Sequence, residues 1–392
     1  MRFSQPSVAR QINRLRVLNA VAQHDLLSRA DVARLLELNK VSTSEIVDTL
    51  IREGLIVETG SRTTEKGRPP INLTLHKDAH MVLAIDVGTL NTKVALVNLG
   101  GEIKRVDRFP TQKNPRPEEL AAILIEHVQR FLSKMKDKDL VMGIAISLAG
   151  EIDAVSQTIT IPQWEWLEVP LQRALETHIS YPIVLANNVY SMLLGERWFY
   201  PQKEYNSIYY VNWAQHINAA LFTEGRILTH SSLLGHIPIN KEKTCRCGAV
   251  GCLETTASGW ALVEPYNNGM TVKQLVSLSE TEPKVEEALL RATDDLTHAL
   301  VTAASVTQAE TIILGGGISS LPDRFMDRLM NTFQKRVSSY VNTTIQKSQL
   351  GDQAGVLGTA SVALDNFLFR RTFLEQIKTA SPSWESGTSL RE

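Results

Sequence analysis

All three cysteines of this 392-residue chain fall between positions 245 and 252, at Cys-x-Cys-x4-Cys spacing, and His236 stands a few residues upstream. An odd number of thiols closes no complete disulfide framework, whereas three thiolates and one imidazole complete the tetrahedral donor set of Zn²⁺. Four protein ligands leave no open position for a catalytic water, so the spacing predicts a structural Zn²⁺ on His236, Cys245, Cys247 and Cys252. Gly248 and Gly251 permit the tight turns that bring Cys252 back to the ion that Cys245 and Cys247 hold. The alternative is three buried thiols beside an unrelated histidine.

His236 followed by the run Cys-Arg-Cys-Gly-Ala-Val-Gly-Cys-Leu-Glu resembles the zinc motif of the ROK family, which groups repressors and sugar kinases on one actin-like fold. The resemblance extends from Ser7 to Phe369 and implies an α/β protein with a two-lobed body over residues 78–370. At 43% hydrophobic content the chain is long enough to bury two or three cores. A net charge of −1 excludes a protein that is basic throughout. No apolar run approaches the ~20 residues that span a bilayer, so no membrane partner and a cytoplasmic location are expected.

Residues 1–77 are patterned differently. Val8, Ile12, Leu15, Leu18 and Val21 recur at helical spacing, and Ser28 with Asp31 forms a capping-box signature ahead of a stripe of Val32, Leu35 and Leu36. Ser42 with Glu45 repeats that signature and predicts a third helix opening at Ser42, with Ile46, Val47, Leu50 and Ile51 inward and Thr43, Ser44, Asp48 and Thr49 on other faces. A strand at Leu55 to Val57, a polar stretch, and a returning strand at Ile71, Leu73 and Leu75 complete a hairpin that carries Arg62, Lys66 and Arg68. Helix, capped helix, capped helix and basic hairpin follow the order of a winged helix-turn-helix, similar to that of NagC/XylR-type ROK repressors. Double-stranded DNA is the expected partner, with Ser42, Thr43 and Ser44 at the reading helix and Arg62, Lys66 and Arg68 on the wing. Residues 1–77 hold 12 Lys and Arg against 8 Asp and Glu, so this module is positive while the remainder is acidic.

The body begins at Met81. Asp86, Gly88, Thr92 and Lys93 resemble the ROK phosphate loop Asp-x-Gly-Gly-Thr-Lys with one glycine lost. Pro117 to Met135 reads as an amphipathic helix, Val141 to Ile146 as a buried strand, and Ala149 to Asp153 resembles the family turn Pro-Gly-x-Val-Asp. Where ROK kinases carry Asn-Asp, the aspartate being the general base, this chain has Asn187 and Asn188. An amide has no basic lone pair near neutral pH and cannot take the proton of an attacking hydroxyl.

Ala214 to Ala220 replaces a glycine-rich ATP loop and contains no glycine, although His216 lies within it as an isolated candidate base. Leu233 replaces a sugar-binding glutamate, while Asn187, His236 and Glu254 still match sugar-contacting positions. Thr311 to Ser319 resembles the adenosine-side loop, residues 323–343 and Gly355 to Phe369 read as helical, and residues 371–392 as a disordered tail.

Together these features imply a regulator with no catalytic residues, whose effector, a sugar derivative or a protein partner, meets Asn187, Asn188, His236 and Glu254. A homodimer or homotetramer is expected, because palindromic sites are read by paired heads. The rival is a sugar kinase fused to a DNA-binding head.

Overall fold

The computed structural model describes residues 6–24, 26–61, 70–153, 155–200, 205–228, 233–240, 242–266, 270–317, 321–370 and 373–374. The chain opens with helix α1 (Pro6–Gln23), a two-residue strand β1 (Leu27–Ser28), and helices α2 (Arg29–Leu35) and α3 (Lys40–Arg52). Strands β2 (Ile56–Ser61) and β3 (Ile71–Leu75) pair antiparallel, and β1 adds to the far side of β3. Val17, Leu18, Val32, Ile46, Val47, Leu50, Ile56 and Leu73 form the core of this head.

Ser28 caps α2 as the sequence predicts, with the box closed by Asp31. The third helix departs from expectation. It starts at Lys40, and its cap is Asn39, whose side chain accepts the Val41 amide at 2.8 Å. Ser42 therefore lies inside the first turn. Leu35 is half exposed and leaves the inward stripe to Val32 and Leu36.

Two five-stranded sheets follow, and their topologies repeat. In the first, β4 (Met81–Val87) is central, with antiparallel β5 (Asn91–Asn98) and β6 (Ile103–Pro110) on one side. Helix α4 (Pro117–Ser133) crosses to β7 (Val141–Leu148), a small sheet of β8 (Glu151–Asp153), β9 (Thr158–Ile161) and β10 (Trp166–Val169) follows, and after α5 (Leu171–Glu176) comes β11 (Ile183–Asn187). Strands β7 and β11 run parallel to β4 on its other side. Helix α6 (Asn188–Phe199) leaves the end of β11 and leads to the second lobe.

There β12 (Ser207–Trp213) takes the central place, flanked by antiparallel β13 (Ile217–Thr223) and β14 (Arg226–Ile227). After α7 (Glu254–Ala257), α8 (Gly259–Val263), α9 (Val272–Leu278) and α10 (Pro283–Thr307), β15 (Thr311–Gly315) joins β12 in parallel. Helix α11 (Asp323–Arg336) precedes parallel β16 (Thr344–Lys347), and α12 (Ala354–Leu364) returns to the first lobe. The predicted helical stretch 323–343 thus ends at Arg336.

Period-two alternation divides the cores. On β4, Leu83 and Ile85 face α4, whereas Val82 and Ala84 face a shared interior with α6 and α12. Helix α12 is buried on every side, and its apolar composition all round matches that position. It crosses α6 closely because Gly358 lies against Ser191 and Gly195, where a side chain would strike the backbone of α6.

A π-helical turn, Asp365–Phe369, follows α12 and meets the head. Asn19 of α1 donates from Nδ2 to the Phe369 carbonyl at 2.8 Å, and the Phe369 ring stands edge-on to Trp198 of α6 with centroids 5.4 Å apart. Head and body therefore share one interior.

Candidate functional site

The loop from Gly235 to Glu254 gathers its four donors as the sequence predicts. His236 closes a single 3₁₀ turn, Leu234–His236, and the segment around the cysteines is pinned by bridges between Pro238 and Cys252 and between Thr244 and Val250. Gly251 has φ +87°, and any side chain there would collide with the Asn240 carbonyl, so this turn requires glycine. One ligand atom from each of His236, Cys245, Cys247 and Cys252 lies within 4.8 Å of all the others. The Cys247 and Cys252 sulfurs are 3.8 Å apart, and Cys245 Sγ is 3.8 Å from His236 Nδ1. A tetrahedron with Zn–S bonds of ~2.3 Å has edges of ~3.8 Å, so donor set and spacing fit that ion.

Burial pushes the Cys252 thiol up to about 12 and raises Cys245, while a backbone hydrogen bond at Ala249 holds Cys247 below its usual range. A divalent cation bound here would supply the charge that lets three clustered thiolates coexist.

The positions that resemble kinase machinery are satisfied from within the protein. Asn187 caps α6, its Oδ1 accepting the Val189 and Tyr190 amides at 2.9 and 3.1 Å and its Nδ2 donating to the Gly150 carbonyl at 2.9 Å. Asn188 Oδ1 also accepts from Val189, at 2.8 Å. In the first loop, Lys93 donates to the Asp352 carbonyl and Thr92 pairs with Thr111. Asp86 lies buried against Gly355 at the start of α12, and burial raises its pKa against the opposing pull of Lys93 and Ser147.

The glycine-free stretch forms a tight β12–β13 hairpin. Its Ala214 and Gln215 carbonyls accept the Gly259 and Trp260 amides, so oxygens cap α8 where a phosphate loop would present amides. The Ile217 amide is taken by Glu254. The other Glu254 oxygen accepts Trp260 Nε1 at 2.6 Å and faces His216 Nδ1 at 3.2 Å. His216 is thus partnered, a link between residues 38 apart that spacing could not reveal. Leu233 stands 64% exposed at the edge of the metal loop.

On the head, Ser42 is exposed and Ser44 half-buried on α3. Thr43 is fully buried and bonds back to the Asn39 carbonyl at 2.9 Å, so its predicted contact with DNA is withdrawn. Arg62, Lys66 and Arg68 lie outside the described residues, as does nearly all of the tail.

These features define a class: a duplicated two-lobed α/β body with a Cys₃His loop in its second lobe and a small helical head ahead of it in the chain. Residues 82–366 match the ROK family, and the chain belongs to it. It is 24% identical over 389 residues to the xylose repressor of Caldicellulosiruptor bescii, covering 92% of this chain and 98% of that protein. Similarity to the glucokinase of Thermotoga maritima, at 25% identity, covers 72% of this chain and 96% of the enzyme. The crystal structure of a ROK family transcriptional regulator, a homologue of the Escherichia coli Mlc protein, superimposes with a TM-score of 0.77 at 22% identity, over 95% of this chain and 99% of that one.

Proposed function

We propose that the protein is a DNA-binding transcriptional repressor of sugar-related genes that does not phosphorylate sugars. The observation that carries this is coverage. The similarity to the xylose repressor spans 92% of the chain, against 72% for the glucokinase, and the ROK match itself begins only at residue 82. The internal saturation of the two former phosphate loops supports the second half of the reading.

In this reading the head is a winged helix-turn-helix whose α3 enters the major groove, with Arg62, Lys66 and Arg68 on the wing. Arg68, between Gly67 and Pro69, reads a narrow A·T-rich minor groove. Paired heads in a two-fold oligomer read an inverted repeat, and a structural Zn²⁺ fixes the loop that bears His236.

The body senses an effector at Asn187, Asn188, His236 and Glu254 and transmits its state through α6 and α12. Helix α6 begins at Asn188 and carries Trp198 near its end, and Trp198 packs on Phe369, which Asn19 of the head grips. Displacement of the α6–α12 pair therefore moves the head. The effector is a sugar derivative less dependent on acidic acceptors than a plain hexose, or a protein partner.

Genomic mapping of bound sites combined with a coupled ATPase assay on common hexoses tests the proposal. Inverted repeats beside sugar genes and no turnover are expected, and steady ATP-dependent phosphorylation would overturn it.

A further inference from the structure

The outward face of α3 carries a pairing that folding does not require. Val41 is 67% exposed in the first turn, and Glu45, four residues on, is exposed on the same face. Ser42 lies between them, while Thr43, Ile46, Val47 and Leu50 take the buried positions. Glu45 has no side-chain hydrogen bond or ion pair among the described residues. Its acidic neighbour Asp48 is neutralised by Arg29 at 2.6 Å, and Arg29 is further held by Glu58 at 3.0 Å.

An uncompensated carboxylate beside DNA phosphates is unfavourable unless a base donates to it. The major groove offers such a donor at the cytosine N4 amine, and its apolar feature is the thymine methyl. Between Lys40 and Arg52 the helix has no basic residue, so the common Arg or Lys contact to guanine cannot come from its central turns. Resting on the reading of α3 as the DNA-reading helix, we propose that Val41 packs on a thymine methyl and Glu45 accepts from a cytosine N4 amine. Four residues of helix rise ~6 Å, which sets the two bases within about two steps of each other.

The test uses full-length protein and a random duplex library to find the preferred site, followed by single-base replacements. Thymine to uracil removes only the methyl. At one conserved thymine per half-site this is expected to weaken binding about fourfold in the native protein and leave Val41→Ala unaffected. Glu45→Ala, which removes the acceptor, is expected to lower discrimination at the nearby cytosine by about tenfold. Both side chains are exposed, so a loss of fold does not confuse the result.

Uracil tolerated at every thymine, an equal uracil penalty in Val41→Ala, or unchanged cytosine preference in Glu45→Ala overturns the assignment alone. Failure of the native protein to enrich any duplex overturns the DNA-binding reading and the assignment together.

Discussion

The Cys₃His loop and the positions Asn187 and Glu254 both resemble motif residues of one family, yet they stand differently in the folded chain. In the loop, His236, Cys245, Cys247 and Cys252 point their donor atoms at one another and at no competing partner strong enough to replace a cation. Asn187 and Glu254 keep the residue types that the resemblance assigns to sugar contacts, but each hydrogen-bonds to neighbouring backbone or side chains. Residue identity therefore predicts function only where the side chain remains available. A donor set that fits a cation is readable from residue types and spacing, whereas the role of a polar side chain depends on partners that spacing does not show.

The largest effect that bears on this contrast is loss of the metal. One Zn²⁺ per chain is expected by elemental analysis of chelator-free preparations. Cys252→Ser, at a buried ligand, is expected to abolish it and lower the stability of the second lobe by several kcal/mol, since the binding energy of a closed site of ~10 kcal/mol or more is folding energy. Metal-free protein with unchanged melting would remove the distinction between the two regions.

Glu254 sharpens it next. If the carboxylate were still a ligand for sugar, Glu254→Leu would alter binding and leave stability intact. Because the substitution strands the Ile217 amide and the Trp260 indole, it is expected to destabilise by about 3 kcal/mol in denaturant titration, even with zinc in place. An unchanged midpoint would return Glu254 to the binding site.

A smaller effect is expected where the body meets the head. Asn19→Ala removes the hydrogen bond to the Phe369 carbonyl and is expected to cost about 1–2 kcal/mol. Amide exchange in α1 should quicken while that in β4 is unchanged, because β4 is hydrogen-bonded on both edges, to β5 and to β7. Equal quickening in both would show that Asn19 supports the whole fold and is no local tether.

The sequence carried much of this and missed parts for identifiable reasons. The Cys₃His donor cluster was legible because metal coordination needs fixed residue types at short range. The vanished glycines of Ala214 to Ala220 were legible because close phosphate approach tolerates no substitute. The start of α3 was not, because Asn39 and Ser42 are both competent caps. Asn39 prevailed, and in the resulting helix Thr43 falls on the buried side with Val47 and Leu50. The edge strand Thr344–Lys347 follows α11 after a short turn, and its mixed polarity gave no period to read. Two of the Glu254 partners, Ile217 and His216, lie 37 and 38 residues away in sequence, a distance over which no pattern carries information.

The finest test of the contrast is whether the candidate effector positions can be given the carboxylates that the resemblance to ROK kinases implies. Leu233→Glu together with Asn188→Asp restores the two carboxylates that the resemblance to ROK kinases places around a hexose. Each charge-assisted hydrogen bond contributes ~1.5–3 kcal/mol in a site built to receive it. Here the gain is expected to be smaller, about tenfold in hexose affinity or ~1.4 kcal/mol, because Glu254 and Asn187 remain committed to Ile217, Trp260, Gly150 and the start of α6. Leu233 is exposed, so a glutamate there must also lose water before it can bind sugar. Calorimetry of native and doubly substituted protein against glucose, xylose and N-acetylglucosamine measures the difference. Micromolar binding of a plain hexose by the native chain would show that the saturated groups exchange their partners readily. No phosphotransfer is expected from the double substitution, since the Ala214 and Gln215 carbonyls still cap α8 and face it with oxygens where ATP phosphates need donors.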